Sequence, residues 1–120
     1  MKELTKAEEE VMQILWKLEK GFVKDVLDKM DEPKPSYTTV STVIRVLEKK
    51  KFVGHKVYGN THEYYPLISK ESYKEFLTNK VVDNYFGGSV KSLLSFFAKK
   101  EKIDLKELDD IMKVIENNKK

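Results

Sequence analysis

The sequence predicts a mainly α-helical chain that carries one small β-hairpin after its third helix. Three observations predict it. Apolar residues recur at spacings of three and four through most of the chain. That period gives way to β-branched and aromatic residues at Phe52–Tyr58 and His62–Tyr65, on either side of Gly59-Asn60. Threonine, serine and aspartate stand where helices would begin.

Thr5 and Glu8 have the spacing of a capping box, in which each side chain satisfies an orphan backbone N–H. They open a helix running to about Glu19 on Ala7, Val11, Ile14, Leu15 and Leu18, with Met12 and Trp16 widening its buried face. Gly21 is expected to end it in a left-handed conformation. A short helix, Val23–Met30, follows with Val23, Val26, Leu27 and Met30 on one face. Pro33 and Pro35 break it, because each fixes φ and removes a donor. The third helix, Thr38–Lys51, carries the stripe Val40, Val43, Ile44 and Leu47. Opposite that stripe, Thr38, Thr42, Arg45 and Lys49 fall at i, i+4, i+7 and i+11 along one exposed edge, flanked by Ser41.

Gly59-Asn60 is a two-residue hairpin turn, both residues accepting positive φ. Pairing across it sets Val57 opposite His62 and His55 opposite Tyr64. Pro66 ends the second strand. Ser69 then caps a helix to about Tyr85 with Tyr73, Phe76, Leu77, Val81 and Tyr85 as its apolar set. Gly87-Gly88 breaks it. Ser89 caps a helix bearing Val90, Leu93, Leu94 and Phe97, and Asp104 with Glu107 opens a last one bearing Leu105, Leu108, Ile111, Met112 and Ile115. Asn117 to Lys120 is a polar tail. The expected domains are 1–67 and 68–120.

Bulk properties bound the function. A chain of 120 residues suits one compact domain or two small ones, not a large enzyme. With 40% hydrophobic and 36% charged residues it is globular with a charge-rich surface. A net charge of +3 excludes a simple polycation. The absence of cysteine excludes thiolate metal sites and cysteine nucleophiles and points to a reducing cytoplasm. The charged N-terminus lacks a signal core and no apolar run approaches the roughly 20 residues of a membrane span, so a soluble, intracellular protein is expected.

Three short helices followed by a hairpin are the winged variant of helix-turn-helix, whose third helix enters a major groove. Thr38, Ser41 and Thr42 can bond phosphates or base edges, and Arg45 can present two N–H groups to guanine. Between Pro35 and His62 there are five basic residues against one acid, so that segment carries +4 where the whole chain carries +3. That concentration is the footprint expected of a phosphate-contacting surface. The expected DNA-contacting set is Ser36, Thr38, Thr39, Ser41, Thr42, Arg45, Lys49 and Lys50, with Lys56, Asn60 and Thr61 in the wing. Each feature alone also suits a solvated helix face, and their coincidence favours duplex DNA. A winged helix that binds protein rather than DNA is the alternative.

The later helices carry more apolar surface than about fifty residues bury alone. Phe76, Tyr85, Phe86, Leu93, Leu94, Phe96, Phe97, Leu108, Ile111 and Ile115 are expected to meet a second copy, giving a symmetric homodimer matched to a palindromic operator. No metal or cofactor is expected. Across the hairpin His55 and His62 are not direct neighbours and no carboxylate cluster joins them, which argues against zinc and leaves a position near phosphate. Tyr58, Tyr64 and Tyr65 could stack on single-stranded bases, but packing on the helices is the favoured reading. No glycine-rich phosphate loop or serine–histidine–acid constellation supports an enzyme.

Several blocks resemble a known family. They are Leu4-Thr5-Lys6-Ala7-Glu8, Val11-Met12-Gln13-Ile14-Leu15-Trp16, Tyr37-Thr38-Thr39-Val40-Ser41-Thr42-Val43 with Leu47-Glu48-Lys49-Lys50, Tyr64-Tyr65-Pro66-Leu67, and Phe86-Gly87-Gly88 with Lys91-Ser92-Leu93. In order and spacing the chain resembles the penicillinase and methicillin-resistance repressors (BlaI/MecI type), and more distantly the copper-transport repressors. The resemblance implies a winged-helix DNA-binding domain, a helical dimerisation domain, and dimers that block transcription at palindromic operators, in this case of β-lactamase-type resistance genes. It also implies a membrane-bound sensor protease as a partner. The implied cut maps to Leu94-Ser95-Phe96-Phe97-Ala98, with Phe96 and Phe97 at the site, although the family motif has asparagine where Phe96 stands. Family members commonly carry glycine at Lys51. The cysteine-rich site of the copper-responsive branch has no counterpart here.

Overall fold

A computed structural model describes residues 1–101 and 104–118. Its elements run α1 (Lys6–Leu18), α2 (Val23–Asp28), α3 (Tyr37–Lys49), β1 (Val53–Tyr58), β2 (Thr61–Pro66), α4 (Lys70–Tyr85), α5 (Val90–Glu101) and α6 (Leu105–Asn118). The chain divides into two units, Met1–Glu75 and Phe76–Lys120.

The first unit is organised around α3. Ser36 starts that helix, its Oγ accepting the Thr39 N–H at 3.1 Å. Val40, Ile44 and Leu47 are buried on one side of it, and Val43 is half-buried. The same core holds Val11, Met12 and Leu15 of α1, Val26 of α2, and Phe52 and Val53 entering β1. The α1 start carries the full capping box: Glu8 N–H donates to Thr5 Oγ1 at 3.2 Å and Thr5 N–H to Glu8 Oε1 at 2.9 Å. Ala7 is exposed, while Ile14 and Leu18 are half-buried. Helix α2 stops at Asp28, short of Met30, and Lys34 Nζ takes up its last carbonyls, Leu27 at 3.2 Å and Asp28 at 2.9 Å.

Gly21 does not end α1 as expected. Glu19 takes the positive φ, 70°, while Gly21 is buried and exchanges two backbone bonds with Tyr64, at 2.9 and 2.8 Å. The α1–α2 connection thereby adds one residue of strand to the hairpin. The hairpin register is the expected one, His55 opposite Tyr64 and Val57 opposite His62. The turn differs from expectation in one respect. Gly59 has φ 58° and Asn60 does not go positive, so the turn needs left-handed backbone at its first central residue alone. Lys51 is left-handed too, φ 67°, which gives a steric reason for glycine to suit this position.

The first unit reaches beyond Leu67 because α4 enters it. Tyr73 is buried, accepts the Leu4 N–H on its hydroxyl at 2.8 Å, and meets Phe52 edge-on with centroids 5.7 Å apart. Trp16 Nε1–H donates to the Ile68 carbonyl at 2.9 Å. In the second unit α4 ends at Gly87 and Gly88, both at positive φ, with Gly88 N–H bonded to the Val82 carbonyl. Ser89 and Asp104 accept the N–H groups of Ser92 and Glu107 at 3.1 and 2.7 Å, as their positions predict. Val82, rather than Val81 or Tyr85, is the buried residue late in α4. No described helix is long and apolar enough to cross a membrane.

Glu8 is a buried carboxylate among the described residues. Lys50 Nζ reaches both its oxygens, at 2.8 and 2.9 Å, tying α1 to the end of α3. Burial pushes the Glu8 carboxyl up, but hydrogen bonds from Lys50 and Thr5 and the ammonium charge outweigh it and hold it below the usual glutamate value. The pair's contribution is therefore full above that value and lost as pH falls through the depressed one. Lys50→Met should lower unfolding free energy by about 1–3 kcal/mol at neutral pH, because Glu8 stays buried without its cation. Denaturant melts across the acid range should also show a flatter pH dependence than wild type. An unchanged neutral stability would remove the pair from the scaffold.

Candidate nucleic-acid interface

The outward side of α3 and the tip of the hairpin face a common cleft. Its volume is about 700 Å³. Tyr37, Ser41 and Arg45 line it from α3, Asn60, Thr61, His62 and Tyr64 from the hairpin, and Phe22, Val23, Lys24 and Asp25 from the start of α2. Burying Val40, Ile44 and Leu47 turns the polar side of α3 outward, so Thr38, Thr42, Arg45 and Lys49 are all exposed and Ser41 is half-buried.

The hydroxyls on this side have distinct local roles. Thr42 Oγ1 donates to the Thr38 carbonyl at 2.9 Å, which leaves its lone pairs outward as acceptors. Ser36 and Thr39 bond each other through their hydroxyls at 2.9 Å, so both belong first to the helix cap. Among the described residues neither Arg45 nor Lys49 has an ion-pair partner. Lys50 is different. The structure draws it to Glu8, away from the set in which the sequence places it. In the wing, Lys56, Asn60 and Thr61 are exposed. Lys56 Nζ lies 5.4 Å from the Tyr58 ring centre, and Thr61 Oγ1 donates to the Tyr58 carbonyl across the turn.

The histidines depart from expectation. His55 and His62 are diagonal on one face of the hairpin, and their rings stack with centroids 4.2 Å apart and planes 8° from parallel. A carboxylate does reach them, since His55 Nδ1 bonds Glu48 of α3. Two parallel imidazoles cannot converge on one ion, and no group of three or more potential metal ligands stands among the described residues. Tyr64 packs rather than stacks on a ligand. It is buried, and desolvation followed by the nearby Glu48 charge raises its phenol above the ordinary value, against Arg45. Tyr58 meets Phe22 edge-on at 5.9 Å. Tyr65 lies so close to Gly54 that a Cβ there would sit 2.9 Å from its hydroxyl. Sequence reasoning missed Tyr37, Phe22 and Lys24 as cleft residues. Tyr37 was detectable, because Tyr37, Ser41 and Arg45 fall at i, i+4 and i+8.

In the second unit Tyr85 is 79% exposed and Phe96 and Phe97 are 48% exposed. Ile111 is exposed, and Phe76, Phe86, Leu93 and Leu94 are half-buried. Phe96 contacts Phe86 and Phe97 edge-on, at 5.7 and 5.6 Å. The side chains of Leu108 and Ile115 lie outside the described residues.

The model of the penicillinase repressor family matches residues 4–117. The methicillin resistance regulatory protein MecI of Staphylococcus aureus (strain N315) is 27% identical over 119 residues, which cover 98% of this chain and 95% of that protein. A penicillinase repressor of Staphylococcus aureus is 26% identical over 114 residues, covering 94% and 90%. Among solved structures, the solution structure of the DNA-binding domain of the repressor BlaI aligns with a TM-score of 0.52 and 28% identity, covering 61% of this chain and 94% of that one. The family match spans almost the whole sequence, and the chain belongs to the penicillinase repressor family.

Proposed function

We propose that the chain is a sequence-specific DNA-binding transcriptional repressor, a regulator rather than an enzyme, working where the cell's DNA is. The observation that carries this is the joint exposure of Thr38, Thr42 and Arg45 on α3 beside Asn60 and Thr61 at the hairpin tip, inside a +4 segment. Arg45 and Thr42 read base edges, Arg45 as donor and Thr42 as acceptor. Thr38, Ser41, Lys49, Lys56, Asn60 and Thr61 contact the backbone, with Ser36 and Thr39 presenting the start of α3. Lys50 remains with Glu8.

The same reading makes the protein a homodimer on a palindromic operator, with 1–67 as the DNA-binding domain and 68–120 as the dimerisation domain. Exposed Tyr85, Phe97 and Ile111 support it, since aromatic and aliphatic surface of this kind is costly to leave in water. Resistance genes of the β-lactamase type are the targets the family suggests. Release by a membrane-bound sensor protease would act at Phe96–Phe97, which lies inside α5, so the helix must open before cleavage.

Arg45→Ala should cost about 1–3 kcal/mol at a duplex selected from a random pool and relax preference at one base position. Lys56→Ala should weaken all duplexes alike and flatten the salt dependence. Weak binding without sequence preference would defeat the repressor reading, and capture of a protein partner in its place would favour the alternative. Sedimentation should give a dimer at tens of micromolar, and a monomer there would remove the second unit's role. For release, β-lactam treatment of the host cells should yield a fragment ending near Phe96. An intact repressor beside a derepressed gene would sink that mechanism.

A further inference from the structure

The chain has two histidines, and the fold brings both to the cleft side of the hairpin. His55 is anchored from α3 through Glu48, and His62 lies flat against it at 4.2 Å. His62 is exposed and lines the cleft with Arg45. The other ionisable groups facing this place are Glu48 and Tyr37 on α3, Tyr64 on β2, and Lys24 and Asp25 at the start of α2. Lys56 and Glu63 are opposite each other in the strand register, on the other face of the hairpin.

We infer that His62 takes up a proton when DNA phosphate enters the cleft, with His55 as its positioning residue, so that duplex affinity rises as pH falls. The inference rests on the DNA-binding reading above. His55 is held in place by the Glu48 carboxylate that it bonds, which leaves His62 as the histidine ring that lines the cleft. A proton on His62 adds a cation to the cleft that Arg45 also lines, and two like charges in one cleft call for an anion between them. A phosphate in the cleft attracts both cations and favours the protonated ring. Binding and protonation then favour each other, as linkage requires. Lysine, arginine and phosphodiester groups keep their charge across the histidine range, so a proton taken up there points to the histidines.

The test measures affinity of the full chain for its pool-selected duplex from about pH 8 to about pH 6 at constant ionic strength. Wild type should tighten by roughly three- to tenfold per pH unit, tenfold being the ceiling for one proton. His62→Phe keeps a ring for the stack. It should lose the rise, its affinity changing by less than about twofold between the two ends of the pH range. His62→Gln should behave the same way, which guards against a folding defect in one variant. His55→Phe preserves the stack and should keep the rise, whereas His55→Ala removes the surface on which His62 lies and should blunt it. A flat wild-type profile, or a rise that survives both His62 variants, overturns the inference while leaving DNA binding intact. No duplex binding at any pH overturns the DNA-binding reading itself, and the inference with it.

Discussion

Val40, Ile44 and Leu47 sit on one side of α3 and are buried against α1, α2 and the residues that lead into β1. Each buried aliphatic side chain of this size contributes about 1.5–3 kcal/mol. The helix therefore has one low-energy rotation about its own axis. Turning it forward by a single residue would drive Ser41, Arg45 and Glu48 toward the core, where an unpartnered hydroxyl or charged group is strongly opposed. The polar edge faces outward because the apolar stripe has nowhere else to go. Glu8 and Lys50 then lock the far end of the helix to α1.

The wing depends on the same core by a different route. Phe52 and Val53 leave α3 fully buried and carry the chain into β1. Tyr64 holds β2 from the other side, through its buried ring and its backbone bonds to Gly21. A two-stranded hairpin is marginal by itself in water, and these anchors supply what it lacks. The Glu48–His55–His62 line is a third tether, running from α3 onto the hairpin. The proposed reading head is thus a helix and a hairpin held at a set separation, with a cleft between them.

Most of the helices were legible in the sequence because their signals are local. Thr5 with Glu8, Ser69, Ser89 and Asp104 all sit at the starts they announce, and the hairpin register follows from where Gly59-Asn60 falls. The missed features involve residues distant in sequence. Gly21 reads as a helix stop until Tyr64, far along the chain, pairs with it. Lys50 reads as one of a run of surface lysines until Glu8 arrives beside it.

The sequence by itself determined the element order, the outward edge Thr38, Thr42, Arg45 and Lys49, and the concentration of positive charge around it. These follow from helical and strand periods and from caps, each spanning a few residues. Tertiary structure alone decided which cations stay available, which histidines touch, and which residues share the cleft. Those outcomes depend on pairs brought together by packing, such as Glu8 with Lys50 and Glu48 with His55. No local period encodes such a pair, because its energy appears only once the core has set the distance.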